Sequence, residues 1–225
     1  MEAFPEALLL IMRRWRSEGG PSQPAIMWPR ERWAAYFPGH VDALWALPDL
    51  LDRQIVRQAC EDAAADANAA ERAFIVVMAW GYGGTVGYGP WRTRRVLSHT
   101  PGASNRLAAV AQTLSKAGAL SAYRRLTADG DCTLRWLGPA FGTKYLYFCQ
   151  PPGQERTALI LDSLVASWLR RETEFDLNPV PWSIPTYRKY LEQMHLWASS
   201  LACNADELEY AIFREMATQR NSQWA

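Results

Sequence analysis

Apolar and polar positions follow helical spacing along most of this chain. Residues 5–16 predict a first helix, closed by a loop at Gly19, Gly20, Pro21 and Pro24. A long helical region is predicted from Pro48, with Leu50, Leu51, Ile55, Val56 and Ala59 at helical spacing. Phe74 to Trp80 is apolar on all sides, which predicts a central, buried helix. Ser104 is placed to cap a helix running to about Ala117, and Gly118 to end it. After the Pro-rich segment 179–187, Tyr187, Tyr190, Leu191, Met194 and Trp197 share one helix face. Asn204 and Glu207 make a capping box for a last helix near 205–219. Strand signals are weak. Tyr145-Leu-Tyr-Phe148 has β propensity but follows a turn that opens a helix. The chain therefore reads as all-α, without repeats or a low-complexity linker.

Composition narrows this modestly. The 225 residues are 49% hydrophobic, enough for a sizeable core, and suit one compact helical unit over 1–225 or two small lobes sharing a cleft. With 24 basic and 23 acidic side chains, overall charge does not announce nucleic acid. The middle third does concentrate basic charge: Arg92, Arg94, Arg95, Arg106, Lys116, Arg124, Arg125 and Arg135. Cys60, Cys132, Cys149 and Cys203 are too scattered for a metal site, and fit a reducing cytoplasm. No apolar run approaches the roughly 20 residues that span a bilayer. The eleven tryptophans read mainly as core, with a few available to stack on bases.

One stretch carries chemistry. Leu137-Gly-Pro-Ala-Phe-Gly-Thr-Lys144 reads as a short helix, a Gly/Pro hairpin over 137–144, and a second helix opening with a lysine. Asp162 ends the apolar run Ala158-Leu-Ile-Leu161, eighteen residues beyond Lys144. A hairpin lysine with a downstream aspartate resembles the helix-hairpin-helix DNA glycosylases, in particular the 8-oxoguanine branch in its small bacterial form. The family's first hairpin glycine is replaced by Ala140, and Gly138-Pro139 reverses its usual order.

The resemblance implies two helical lobes around a cleft and a DNA glycosylase, with a lyase step following base release. Lys144 would be the nucleophile that attacks the sugar anomeric carbon and forms a Schiff base. An amine attacks only when neutral, and burial among Phe141, Tyr145, Leu146 and Phe148 favours that form. Asp162 would stabilise the positive charge developing on the deoxyribose; it serves equally well as an N-cap. Gly142 and Thr143 would grip a DNA phosphate at the helix N-terminus. The resemblance brings no organic cofactor and no metal beyond a monovalent cation held by hairpin carbonyls.

Trp80-Gly-Tyr-Gly-Gly-Thr-Val-Gly-Tyr-Gly-Pro-Trp91 is too glycine-rich for regular structure. In the resembling family the loop at this position enters the minor groove and fills the gap left by a flipped base. Tyr82, Tyr88 and Trp91 are candidate wedges, and Arg92, Arg94 and Arg95 candidate phosphate contacts; a packed surface turn is the other reading. Phe141, Trp182 and Tyr187 are candidate walls of a base pocket, although a Met/aromatic stripe more often serves a core.

The expected partner is duplex DNA bearing a modified base, either an oxidised purine or a bulkier, phage-type base. The protein is expected to act as a monomer in the cytoplasm, in base-excision repair or in defence against phage with modified DNA. Two readings from other classes stay open: a non-enzymatic DNA-binding module using the hairpin for phosphate contact, and a helical scaffold.

Overall fold

The computed structural model describes residues 4–84, 87–151, 157–175 and 177–222. Thr85 and Val86 of the glycine-aromatic loop lie outside the described residues. The chain runs α1 (Glu6–Ser17), β1 (Ile26–Met27), α2 (Arg30–Tyr36), a 3-10 turn (Pro38–His40), α3 (Val41–Trp45), β2 (Leu50–Leu51), α4 (Arg53–Cys60) and α5 (Ala67–Tyr82). It continues through α6 (Gly89–Ser98), α7 (Ala103–Leu126), α8 (Pro139–Phe148), α9 (Ser163–Glu172), α10 (Ile184–Ser200) and α11 (Ala205–Ser222). The fold is all-α. The described residues contain one two-stranded antiparallel sheet, pairing Ile26 with Leu51 and Met27 with Leu50.

α5 is the hub. Asp66 caps it by accepting the Ala69 N–H at 2.8 Å. Every residue from Ala73 to Trp80 is buried, as all-round apolarity requires. α4, α6, α7 and α8 all pack against it. Asp52 caps α4 in the same way, so Leu50 and Leu51 form a strand before a helix that starts at Arg53, rather than a helix running on from Pro48. α7 continues through Gly118, which sits at φ +78 as a kink, to Leu126. Ser104 does not cap α7; its hydroxyl donates to Glu71, and Gly102 at φ +65 is the N-cap.

The first and last of the described helices meet. α1 packs on α11, where Arg14 pairs with Glu215 at 2.9 Å and Arg214 pairs with Glu18. Asn204 donates its backbone N–H to Glu207 at 2.8 Å, the expected backward arm of a capping box.

The 137–144 segment differs from the expected hairpin. No helix directly precedes it; residues 127–138 form turns and irregular chain. Proline fits the first position of a helix because it lacks the N–H that would be orphaned there. α8 therefore begins at Pro139, and Lys144 lies in its middle.

Candidate active site

Lys144 is the only charged residue of α8, whose other positions are apolar, small or aromatic. Its stem passes Gly81 of α5, where an added Cβ would lie 3.2 Å from the lysine Cδ and 2.6 Å from Phe141 Cε1. Gly81 thus leaves the room in which Lys144 and Phe141 lie. The Lys144 ammonium is 5.5 Å from the Phe141 ring centre, and Phe141 stacks on Tyr82 at 4.6 Å.

Asp162 comes from the other side. Residues Ala158–Leu161 are buried and extended without a sheet partner, so side chains satisfy their backbone. Gln150 accepts the Ala158 N–H at 2.8 Å and donates to its carbonyl at 3.0 Å. Tyr187 and Tyr190 donate to the carbonyls of Leu159 and Ile160 at 2.9 and 2.7 Å. Thr143 accepts the Leu161 N–H at 3.0 Å. The chain then turns into α9, and Asp162 caps it: Oδ1 accepts from Leu164 and Val165 at 3.0 and 3.1 Å. Oδ2 faces Lys144 Nζ at 3.6 Å, with the two side chains 15% and 11% exposed.

Both open onto a hollow of about 110 Å³, also lined by Gln23, Arg53, Trp80, Ile160, Glu209 and Phe213. Glu209 and Phe213 are four residues apart and so share a face of α11. The Glu209 side chain is 1% exposed and pairs with Arg53 at 3.0 Å. Burial pushes its carboxyl above the usual range, opposed by the Arg53 charge and hydrogen bond. Burial also works against the Arg53 guanidinium, but Glu209 and Tyr147 outweigh it, and the net direction is upward. Arg53 is further held by Gln23 Oε1 at 2.9 Å and the Tyr147 hydroxyl at 3.2 Å. Two cation–carboxylate pairs thus border one crevice.

The other expected site residues divide. Gly142 and Thr143 are buried, because starting α8 at Pro139 turns both inward. A Cβ on Gly142 would meet Trp182 at 2.2 Å, and the Thr143 hydroxyl is engaged with Leu161 and Ala140. Trp182 packs on the start of α8 and donates to the Leu137 carbonyl at 3.2 Å. Tyr187 is not a pocket wall: it is fully buried and stacked on Tyr123 at 4.2 Å. Tyr82 packs inward on Phe141, whereas Tyr88 and Trp91 are exposed and in contact at 5.0 Å. Arg92 donates to the Trp136 carbonyl at 3.0 Å.

Three carbonyls of the turn carry hydrogen bonds: that of Leu137 accepts from Trp182, that of Gly138 from the Gly142 N–H, and that of Ala140 from Thr143.

Sequence reasoning missed Gln23, Arg53, Glu209 and Phe213. One signal was present: Glu209 interrupts the run Leu208, Tyr210, Ala211, Ile212, and a lone carboxylate among buried positions needs a partner.

None of the curated proteins and none of the solved structures matches the chain. A family profile does match over residues 19–213, a span containing both cation–carboxylate pairs. The chain belongs to the OGG family, described as "Putative 8-oxoguanine DNA glycosylase OGG-like protein".

Proposed function

We propose that this protein is a DNA glycosylase that flips a modified base out of the duplex and cuts its glycosidic bond with Lys144 and Asp162. The observation that carries the reading is the 3.6 Å approach of the Lys144 ammonium to a rigidly capped carboxylate in a lined hollow. A nucleophile beside a carboxylate that can take or return its proton is what displacement at an anomeric carbon requires.

The electron balance is simple. Lys144 passes a proton to Asp162, and its freed lone pair forms a bond to C1′ of the deoxyribose. The C1′–N bond breaks, its electron pair leaves with the base, and the base takes up the proton that Asp162 received. Asp162, held by its two cap hydrogen bonds, is then a carboxylate again and opposes the positive charge on the sugar. Opening of the sugar ring then gives an imine between Nζ and C1′, from which β-elimination can nick the strand. Phe213 offers an aromatic face and Glu209 a carboxylate acceptor for N–H groups on a base edge. The substrate is an oxidised purine or a bulkier modified base.

Borohydride tests this directly, because it reduces the imine to a stable cross-link. The wild-type protein should trap on duplexes carrying its substrate base or an abasic site. Lys144→Gln should not trap. Base release without any cross-link would leave a glycosylase but remove the covalent step. Binding without base release from oxidised, alkylated and phage-modified DNA, followed by mass spectrometry, would leave only a binding module.

A further inference from the structure

The exposed Trp91–Arg95–Trp136 stack is the part of the molecule that the proposed chemistry does not use. The Arg95 guanidinium lies 3.9 Å from the Trp136 ring centre and 5.1 Å from that of Trp91. Among the described residues it forms no ion pair, and its Nε is buried without a hydrogen-bond partner. Trp136 is 46% exposed and holds φ +70, a conformation that bulky residues rarely adopt. Arg92 braces it by donating to the Trp136 carbonyl at 3.0 Å. The two arginines therefore differ: Arg92 is committed to the backbone, and Arg95 lies over two indole rings without a carboxylate partner among the described residues.

No Asp or Glu occurs in the sequence between Glu71 and Asp129. Arg94 and Arg135, beside Arg95 and Trp136 in the chain, are exposed. The patch is also linked to the hollow. Lys144 lies over Phe141, Phe141 stacks on Tyr82, the Arg92 charge acts on the Tyr82 hydroxyl, and Arg92 holds Trp136.

We infer that the Trp91–Arg95–Trp136 stack is a clamp for a backbone phosphate of the DNA duplex, with Trp136 as the residue that positions the guanidinium. The inference rests on the glycosylase reading for the identity of its partner. Stacked aromatic faces cover the weakly hydrated planes of a guanidinium and leave its forked edge to meet phosphate oxygens. A lysine has the charge but neither the plane nor the fork.

The test is binding of a short undamaged duplex, followed by fluorescence anisotropy over a range of salt concentrations. Undamaged DNA keeps the measurement independent of base excision. Arg95→Gln should weaken binding at every sequence and lower the slope of log K against log salt by about 0.9, the value for one phosphate contact. Arg95→Lys should recover the slope but not the affinity. Trp136→Ala should weaken binding with the slope retained, and Trp136→Phe should restore most of the loss. An Arg95→Gln protein that melts and binds like wild type overturns the clamp while borohydride trapping still stands. A wild-type protein that fails to bind duplex even at low salt overturns both.

Discussion

Thr143 and Leu161 join the two halves of the candidate site: the threonine hydroxyl accepts the Leu161 N–H at 3.0 Å, and the residues that follow them, Lys144 and Asp162, face each other. This hydrogen bond ties α8 to the 158–161 segment right beside the facing pair, with Gln150 fixing the far end of the segment at Ala158. Thr143→Val keeps the shape but leaves a buried N–H unpaired, so it should cost about 1–3 kcal/mol of stability. Activity should fall beyond what the lost stability explains, and Thr143→Ser should recover both. Denaturant melts alongside single-turnover base release will separate the two effects. Unchanged turnover in Thr143→Val would show that this tie does not hold the facing pair.

Asp162 has two tasks, which substitution can divide. Asparagine can cap a helix as aspartate does, so Asp162→Asn should melt close to wild type. It lacks the charge, and base release should fall by roughly 10²–10⁴-fold, the range for a proton-transferring group. Asp162→Ala should lose the cap as well, at about 1 kcal/mol. If the asparagine variant turns over normally, Asp162 is a cap alone.

The Arg53–Glu209 pair should behave as a unit. Arg53→Met removes the cation and leaves the Glu209 carboxylate buried, a loss of about 3–5 kcal/mol for an orphaned charge. Adding Glu209→Gln should return part of it, and a double-mutant cycle measures the coupling. The sign with pH follows from the upward direction of Glu209. A carboxyl that holds its proton more tightly when folded contributes stability below its unfolded value, lost as pH rises through the folded one. Arg53→Met removes the opposing charge, so its deficit should be smaller at pH 5 than at pH 8.

Glu71 has the opposite sign. Hydrogen bonds from His40 and then Ser104 lower its carboxyl below the ordinary 4.5, against the opposing effect of burial. Its stabilisation is therefore present above about pH 4.5 and is lost as pH falls through the lower folded value. The melting-temperature gap between wild type and Glu71→Gln should be widest near pH 6 and should close below pH 4.5. A gap constant down to pH 3 would mean that Glu71 acts by packing alone.

Much of this was legible in the amino-acid order because it is local. The apolar run 74–80 predicts a buried hub, the Asn204/Glu207 spacing predicts a helix start, and Lys144 with Asp162 stand out by motif. The Arg53–Glu209 pair was not legible, since 156 residues separate its members and neither carries a local signal for the other. Gly142 and Thr143 were misplaced for a local reason: Pro139 opens the helix early and turns them to the inside. Tyr187 was misplaced because one stripe of aromatics looks the same whether it faces a ligand or a core. Nothing in the residue order marks Trp136, whose position depends on a left-handed backbone and on two arginines from another helix.

The docking of α1 on α11 has a consequence for synthesis. Lys144, the proposed nucleophile, is synthesised well before Glu209 and Phe213 of its hollow, which arrive only with α11. A chain still on the ribosome, or one cut short before α11, would present a lysine without its enclosure. Under the proposed chemistry, the reactive amine would gain its enclosure only when α11 has packed into place.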